Sequence, residues 1–301
     1  MNNESATPAA EYVIGKGIRV NRMGYGAMRI TGEGVWGPPK DREESIRVLR
    51  RAVELGVNFI DTADSYGPDV SEELIAEALY PYPPGLVIAT KGGLTRTGPN
   101  QWPVNAHPDH LEKALAGSLK RLRLEQIDLY QLHRIDPLVP EADTFRFLKA
   151  VKEQGLVRHL GLSEVSVDQI RRAREYFEVD SVQNMYSVDN RKWEDVLKYC
   201  QDEGIAFIPW YPLNAGNVKA LELLQLVASR HQATVHQVAL SWLLHHAPNI
   251  LLIPGTSKVK HLEENYKAAS LLLDEMDMQE LDKLGLWASF AVVSKRRKMR
   301  C

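Results

Sequence analysis

The chain has 301 residues, 44% of them hydrophobic, and a formal net charge of −2. That length suits one large core and is long for a single domain other than a barrel or a doubly wound sheet. The near-neutral charge argues against nucleic-acid or acidic-surface partners. The two cysteines, Cys200 and Cys301, fit a reducing cytoplasm without disulfides or a cysteine-bound metal, and no apolar run approaches a membrane span.

Met1–Glu11 is polar and lacks the charged-then-apolar order of a signal peptide. Residues 12–20, YVIGKGIRV, read as a hairpin that plugs the bottom of a barrel. From there short β-branched or apolar runs alternate with longer amphipathic ones. Strands are expected at Val20–Gly24, Val57–Ile60, Leu86–Thr90, Ile127–Leu132, Val157–Gly161, Asp180–Gln183, Ile205–Trp210 and Ile250–Ile253. Helices are expected at Arg42–Leu55, Ser71–Leu79, Pro108–Leu122, Asp143–Gln154, Val167–Phe177, Lys192–Glu203 and Val235–His245, with an extra one at Val218–Ala228.

Asp41-x-x-Glu44, Ser166-x-x-Gln169 and Thr234-x-x-Gln237 have capping-box form. Ile46, Leu49 and Val53 make one apolar stripe on the first helix. Gly56, Gly155 and Gly204 each follow a helix where a left-handed C-cap is wanted. Eight strands alternating with helices point to a parallel sheet, and at this length to a closed (β/α)8 barrel with its chemistry at the carboxyl ends of the strands. A Rossmann sheet needs G-x-G-x-x-G after its first strand. Here Gly24-Tyr25-Gly26-Ala27-Met28-Arg29 lacks the third glycine.

The strand ends carry the chemistry. Residues 56–67, GVNFIDTADSYG, bring Asp61 and Tyr66 to the end of one strand. The next strand ends in Lys91, and the one after it in His133. A free phenol is a poor acid at neutral pH, and a neighbouring ammonium lowers its pKa. Lys91 is expected to act so on Tyr66, with Asp61 holding Lys91 charged and aimed. His133 suits the orientation of a carbonyl or a proton shuttle. His107-x-x-His110 and His245-His246 make no metal set with nearby acids.

Gly161-Leu162-Ser163-Glu164 and Val182-Gln183-Asn184 offer polar groups suited to a carboxamide. In Ile208–Leu213, IPWYPL, an aromatic ring stands where it can stack on a flat cofactor. After the eighth strand, Gly255-Thr256-Ser257-Lys258 precedes a helix starting near Val259, an anion seat.

These motifs, in order GVNFIDTADSYG, IATKGG, YQLHR, GLSEVS, VQNMYS, IPWYPL and IPGTSKVKHLEEN, resemble those of the aldo-keto reductase family. The resemblance covers residues 12–285 as one barrel domain and leaves 1–11 and 286–301 as terminal extensions. It implies a tetrad of Tyr66 as general acid, Lys91 and Asp61 as its tuning pair, and His133 as the carbonyl-orienting group. It implies cofactor contacts from Ser163, Glu164, Gln183, Trp210, Tyr211, Pro212 and Leu213, with Trp210 on the nicotinamide. It assigns Gly255, Thr256, Ser257, Lys258, His261, Glu264 and Asn265 to the adenosine-phosphate segment.

Glu164 stands where many members carry asparagine, and His261 where many carry arginine for the 2′-phosphate. Lys258, Lys260 and the two hydroxyls compensate, so NADPH is favoured and NADH remains the alternative. The loop Asn214–Asn217 is short, which implies quick cofactor exchange. GYGAM…GVWGPPKDR is similar to a bacterial and fungal branch that reduces pyridoxal. Trp36, Trp102 and Tyr211 are the candidate pocket liners.

The implied activity is NAD(P)H-dependent reduction of small aldehydes or ketones, or its reverse, in the cytoplasm. Two rivals stay open: an NADPH-binding redox-sensing subunit with slow turnover, and an isomerase or aldolase using Lys91 as a Schiff base. The basic tail Lys295–Cys301 reads as solvated and is not a prenylation box.

Overall fold

A computed structural model describes residues 11–211 and 218–285. Pro212, Leu213, the Asn214–Asn217 loop and the basic tail lie outside the described residues.

The antiparallel pair β1 (Glu11–Ile14) and β2 (Ile18–Asn21) opens the fold. A parallel sheet follows with its strands in chain order: β3 (Tyr25–Gly26), β4 (Phe59–Asp61), β5 (Val87–Gly92), β6 (Ile127–Leu132), β7 (Val157–Ser163), β8 (Ser181–Gln183) and β9 (Ala206–Phe207). Residues 250–252 join both edges. Leu251 N–H donates to Phe207 O at 2.9 Å on one side, and Gly24 N–H donates to Leu252 O at 2.8 Å on the other. The sheet is therefore a ring, the (β/α)8 barrel expected from the alternation.

The helices are α1 (Arg42–Glu54), α2 (Val70–Leu79), α3 (Pro108–Leu122), α4 (Glu141–Glu153), α5 (Val167–Arg174), α6 (Glu194–Asp202), α7 (Val218–Arg230), α8 (Val235–His246) and α9 (Val259–Tyr266). A further helix spans 275–285. Among the described residues no helix is long and apolar enough to cross a membrane.

Local signals account for the helix ends. Ser166/Gln169 and Thr234/Gln237 form reciprocal capping boxes at α5 and α8. Asp41 caps α1 by accepting from Glu44 N–H, but the box is only half made. The Glu44 carboxylate turns away, to Arg47 and to the Val259 N–H at 3.2 Å. Gly56, Gly155 and Gly204 have positive φ, as helix exits into strands require.

The first barrel strand lies later than expected. Val20 belongs to the hairpin, and pairing with the barrel begins at Met23 and Tyr25. The alternation of buried Ile18 and Val20 continues the hairpin, and the chain then changes sheet at Arg22. The Arg22 guanidinium anchors that corner on Leu244 O, Ala247 O and Ile250 O. At Gly24 a Cβ would lie 2.7 Å from Phe59 O, so the close approach of the strands there needs glycine.

Two apolar regions result. The larger lies between barrel and helices and takes in Leu49, with Ile46 and Val53 packed at its margin. The smaller fills the lower barrel interior. There Phe59, Val87, Ala89, Leu129, Ala206, Ile208 and Leu251 meet Ile14, Ile18 and Val20 of the hairpin, so the hairpin does plug the barrel.

Candidate active site

A strand exposes alternate residues to one face. Two positions beyond Phe59, Ala89 and Leu129 on the inner face stand Asp61, Lys91 and Gln131, and Gln183 lies two beyond Ser181. The interior thus changes from hydrocarbon to a polar layer toward the carboxyl ends. Gly161 leaves the room for that layer, since a Cβ there would collide with Ser181 Oγ and lie 2.9 Å from Gln131 Cγ.

Lys91 is at the centre and fully buried. Its ammonium donates to Asp61 Oδ1 at 2.5 Å, to Thr62 O at 2.7 Å and to Tyr66 Oη at 3.4 Å. The second Asp61 oxygen accepts from Gln131 Nε2 at 3.0 Å and Gln183 Nε2 at 2.9 Å. Ser181 Oγ donates to Gln131 Oε1 at 3.3 Å and orients that amide. Burying a charged pair is costly unless geometry and further hydrogen bonds compensate, and here both ions are so supplied.

Tyr66 sits on the loop after β4. Its ring meets His133 edge-on, with centroids 6.0 Å apart, and Trp102 edge-on at 6.3 Å. His133 Nδ1 makes a long 3.5 Å contact with Ser65 Oγ. The structure therefore brings Asp61, Tyr66, Lys91 and His133 together.

Burial pushes the Tyr66 phenol above its ordinary pKa; the Lys91 ammonium does draw it down, as expected, but burial is the larger effect. The ground-state group is a protonated phenol. For Lys91 burial acts downward, but Asp61 and Tyr66 outweigh it and hold the ammonium above its usual value. Burial, with Lys91 and Arg134 nearby, keeps His133 well below the ordinary imidazole range. It is a neutral ring at pH 7, able to donate from one nitrogen.

Around this centre lie the residues expected at the cofactor. Ser163, at the end of β7, accepts from Arg134 Nη1 at 2.9 Å, and the same guanidinium lies 5.8 Å from the Trp210 ring. Glu164 Oε1 accepts from Trp210 Nε1 at 2.8 Å and from Met185 N–H at 2.5 Å, so Glu164 fixes the indole. Gln183 uses its amide N–H on Asp61. Tyr211 is exposed, has φ +57° and packs edge-on to Trp210.

After residues 250–252, Tyr25 Oη ties down Thr256 O at 2.6 Å, and Thr256 Oγ1 accepts from Lys258 N–H. Gly255, Lys258 and His261 are exposed at the start of α9, while Ser257, Glu264 and Asn265 are half-buried. A ring held at the mouth, polar groups beside it and a cation at a helix start are the donor set a nicotinamide dinucleotide needs, so the residues fit that group.

Sequence reasoning missed Gln131 and Ser181, although counting by twos from Leu129 and from Gln183 would have found them. It also missed Glu44, whose carboxylate already occupies an N–H of the anion seat, and Arg96, which no sequence spacing connects to Tyr66. Trp36 is bridged by backbone to Gly67, the residue after Tyr66, and its ring lies 5.5 Å from the Arg96 guanidinium.

The chain's sequence matches the Aldo/keto reductase family over residues 22–285. An uncharacterized oxidoreductase of Schizosaccharomyces pombe is 56% identical over 267 residues, 88% of this chain and 87% of that protein. Pyridoxine 4-dehydrogenase of Escherichia coli is 43% identical over 269 residues, 87% of this chain and 94% of the enzyme. Among solved structures, a thermostable aldo-keto reductase in complex with the inhibitor epalrestat superposes with a TM-score of 0.82 at 30% identity, covering 92% of this chain and all of that one. With the closed barrel and its strand-end residues, these likenesses show that the chain belongs to the aldo/keto reductase family.

Proposed function

We propose that this protein reduces a small aldehyde or ketone to the alcohol with a nicotinamide cofactor, and catalyses the reverse oxidation with the same residues. The observation that carries this reading is the buried Asp61–Lys91–Tyr66 array with neutral His133 beside it. Trp210, fixed by Glu164, would give a nicotinamide ring a flat seat, and that ring, when bound, would supply hydride to the carbonyl carbon. His133 donates an N–H to the carbonyl oxygen and orients it. As the carbon takes up hydride, Tyr66 Oη transfers its proton to that oxygen. The phenolate then forms beside the Lys91 ammonium, whose charge stabilises it at the moment it appears. Asp61, held by Gln131 and Gln183, keeps Lys91 in place. The alcohol carries the proton away, and Tyr66 is reprotonated from solvent.

Pyridoxal is the substrate we propose first. The relative named pyridoxine 4-dehydrogenase supports it, as does Trp102 beside Tyr66. For the cofactor we propose NADPH: Lys258 and the hydroxyls of Thr256 and Ser257 favour a 2′-phosphate, while Glu44 opposes one. The test is NADPH and NADH oxidation against pyridoxal, other aldehydes and ketones, with the product identified by chromatography. Conversion of pyridoxal to its alcohol supports the reading, and absence of turnover across the panel contradicts it.

A further inference from the structure

We propose that Arg96 is a positioning residue that makes this barrel mouth select planar carbonyl substrates, by holding Trp102 against Tyr66. The inference rests on the reductase reading above.

Arg96 lies on the loop between β5 and α3 and is half-buried. Burial draws its guanidinium below the ordinary value. Among the described residues it forms no ion pair with a carboxylate. Its partners are backbone carbonyls. Nε donates to Gln101 O at 2.9 Å, Nη1 to Val35 O at 2.6 Å and Ser65 O at 2.7 Å, and Nη2 to Gly34 O at 3.0 Å and Gly98 O at 3.2 Å. A guanidinium has five N–H donors, and all five are taken. One side chain thus ties together the loop before α1, the residue preceding Tyr66, and its own loop.

The guanidinium also lies over two indole rings. Its carbon lies 3.6 Å from the centroid of Trp102 and 5.5 Å from that of Trp36. Trp102 in turn meets the Tyr66 ring at 88°. A lysine cannot replace this arrangement, because an ammonium has three donors and no plane.

Two consequences follow for the substrate. With every N–H engaged, Arg96 has no free hydrogen-bond donor for the substrate, so its contribution is to shape. A carbonyl at Tyr66 Oη lies beside an indole whose angle is fixed. A planar aromatic or heteroaromatic aldehyde gains a stacking or edge contact from such a wall. A short aliphatic aldehyde has too little surface to gain as much. The substrate class is therefore a flat-ring aldehyde.

The experiment compares wild type with Arg96→Met, Arg96→Lys and Trp102→Leu, measuring kcat and KM for pyridoxal, benzaldehyde and butanal with NADPH. In Arg96→Met the ratio of kcat/KM for the flat aldehydes to that for butanal is expected to fall about tenfold, mostly through KM. Arg96→Lys should not restore it. Trp102→Leu leaves the carbonyl bonds of Arg96 in place and should lower the same ratio, which keeps the test decisive if Arg96→Met does not fold. Equal losses for all three substrates, an unchanged ratio in the folded variants, or full rescue by lysine would overturn the proposal. A wild type that reduces none of the three would instead remove the reductase reading, and this inference with it.

Discussion

The two ends of the barrel interior are built from the same strands and the same face, yet they are opposite in character. Toward the amino ends Phe59, Ala89 and Leu129 pack against Ile14, Ile18 and Val20 of the hairpin, with the buried His159 and Asp180 side chains close to Gly15 at the hairpin turn. Two residues further on stand Asp61, Lys91 and Gln131, fully hydrogen-bonded to one another or through a shared partner. The lower half stabilises the fold by removing hydrocarbon from water. The upper half holds a buried cation and carboxylate whose desolvation the fold must offset. The division teaches where stability and chemistry are separable, and each can be attacked alone.

The largest effect is expected from Lys91→Met. It leaves Asp61 buried without its cation and should lower unfolding stability by about 3–5 kcal/mol. It should also lower kcat by about 10³-fold, because the phenolate loses its counter-charge. Urea denaturation and steady-state kinetics on the folded fraction measure the two effects. Ile14→Ala attacks the other end. Truncating a fully buried isoleucine should cost about 2–5 kcal/mol while kcat of the folded enzyme stays within about twofold. A parallel loss of activity would show that plug and polar layer are not independent.

A smaller effect concerns pH. The folded-state pKa of His133 is depressed, so the unfolded chain binds this proton first as pH falls. Its contribution to stability is present above the unfolded value of about 6.5 and is lost as pH falls below it. His133→Gln should therefore show a shallower drop in Tm than wild type between about pH 7 and pH 5; an identical drop in both would contradict a neutral buried His133. The smallest effect belongs to the mouth. Glu44→Gln removes a carboxylate from the start of α9 and should lower KM for NADPH about two- to fivefold while leaving NADH nearly unchanged. Equal changes for both cofactors would remove Glu44 from the choice between them.

Much of this contrast was legible in the sequence, for identifiable reasons. Strand ends converge at one rim of a barrel, so Asp61, Lys91 and His133 could be brought together from strand order alone. Caps at Ser166 and Thr234 are local and were read directly. The first strand was placed too early because the alternation of Ile18 and Val20 runs through the hairpin without a break before the corner at Arg22. The direction of the Tyr66 pKa could not be read, since it is the sum of burial and charge and only charge is visible in sequence. Arg96 stayed hidden because its partners come from three loops that no spacing relates.

The central claim is that Tyr66 supplies the proton. The most direct measurement is Tyr66→Phe, assayed for turnover with the best carbonyl substrate and titrated with NADPH by tryptophan fluorescence. The account predicts that kcat falls by about 10³-fold or more while Kd for NADPH stays near the wild-type value. A variant that keeps most of its turnover would contradict it.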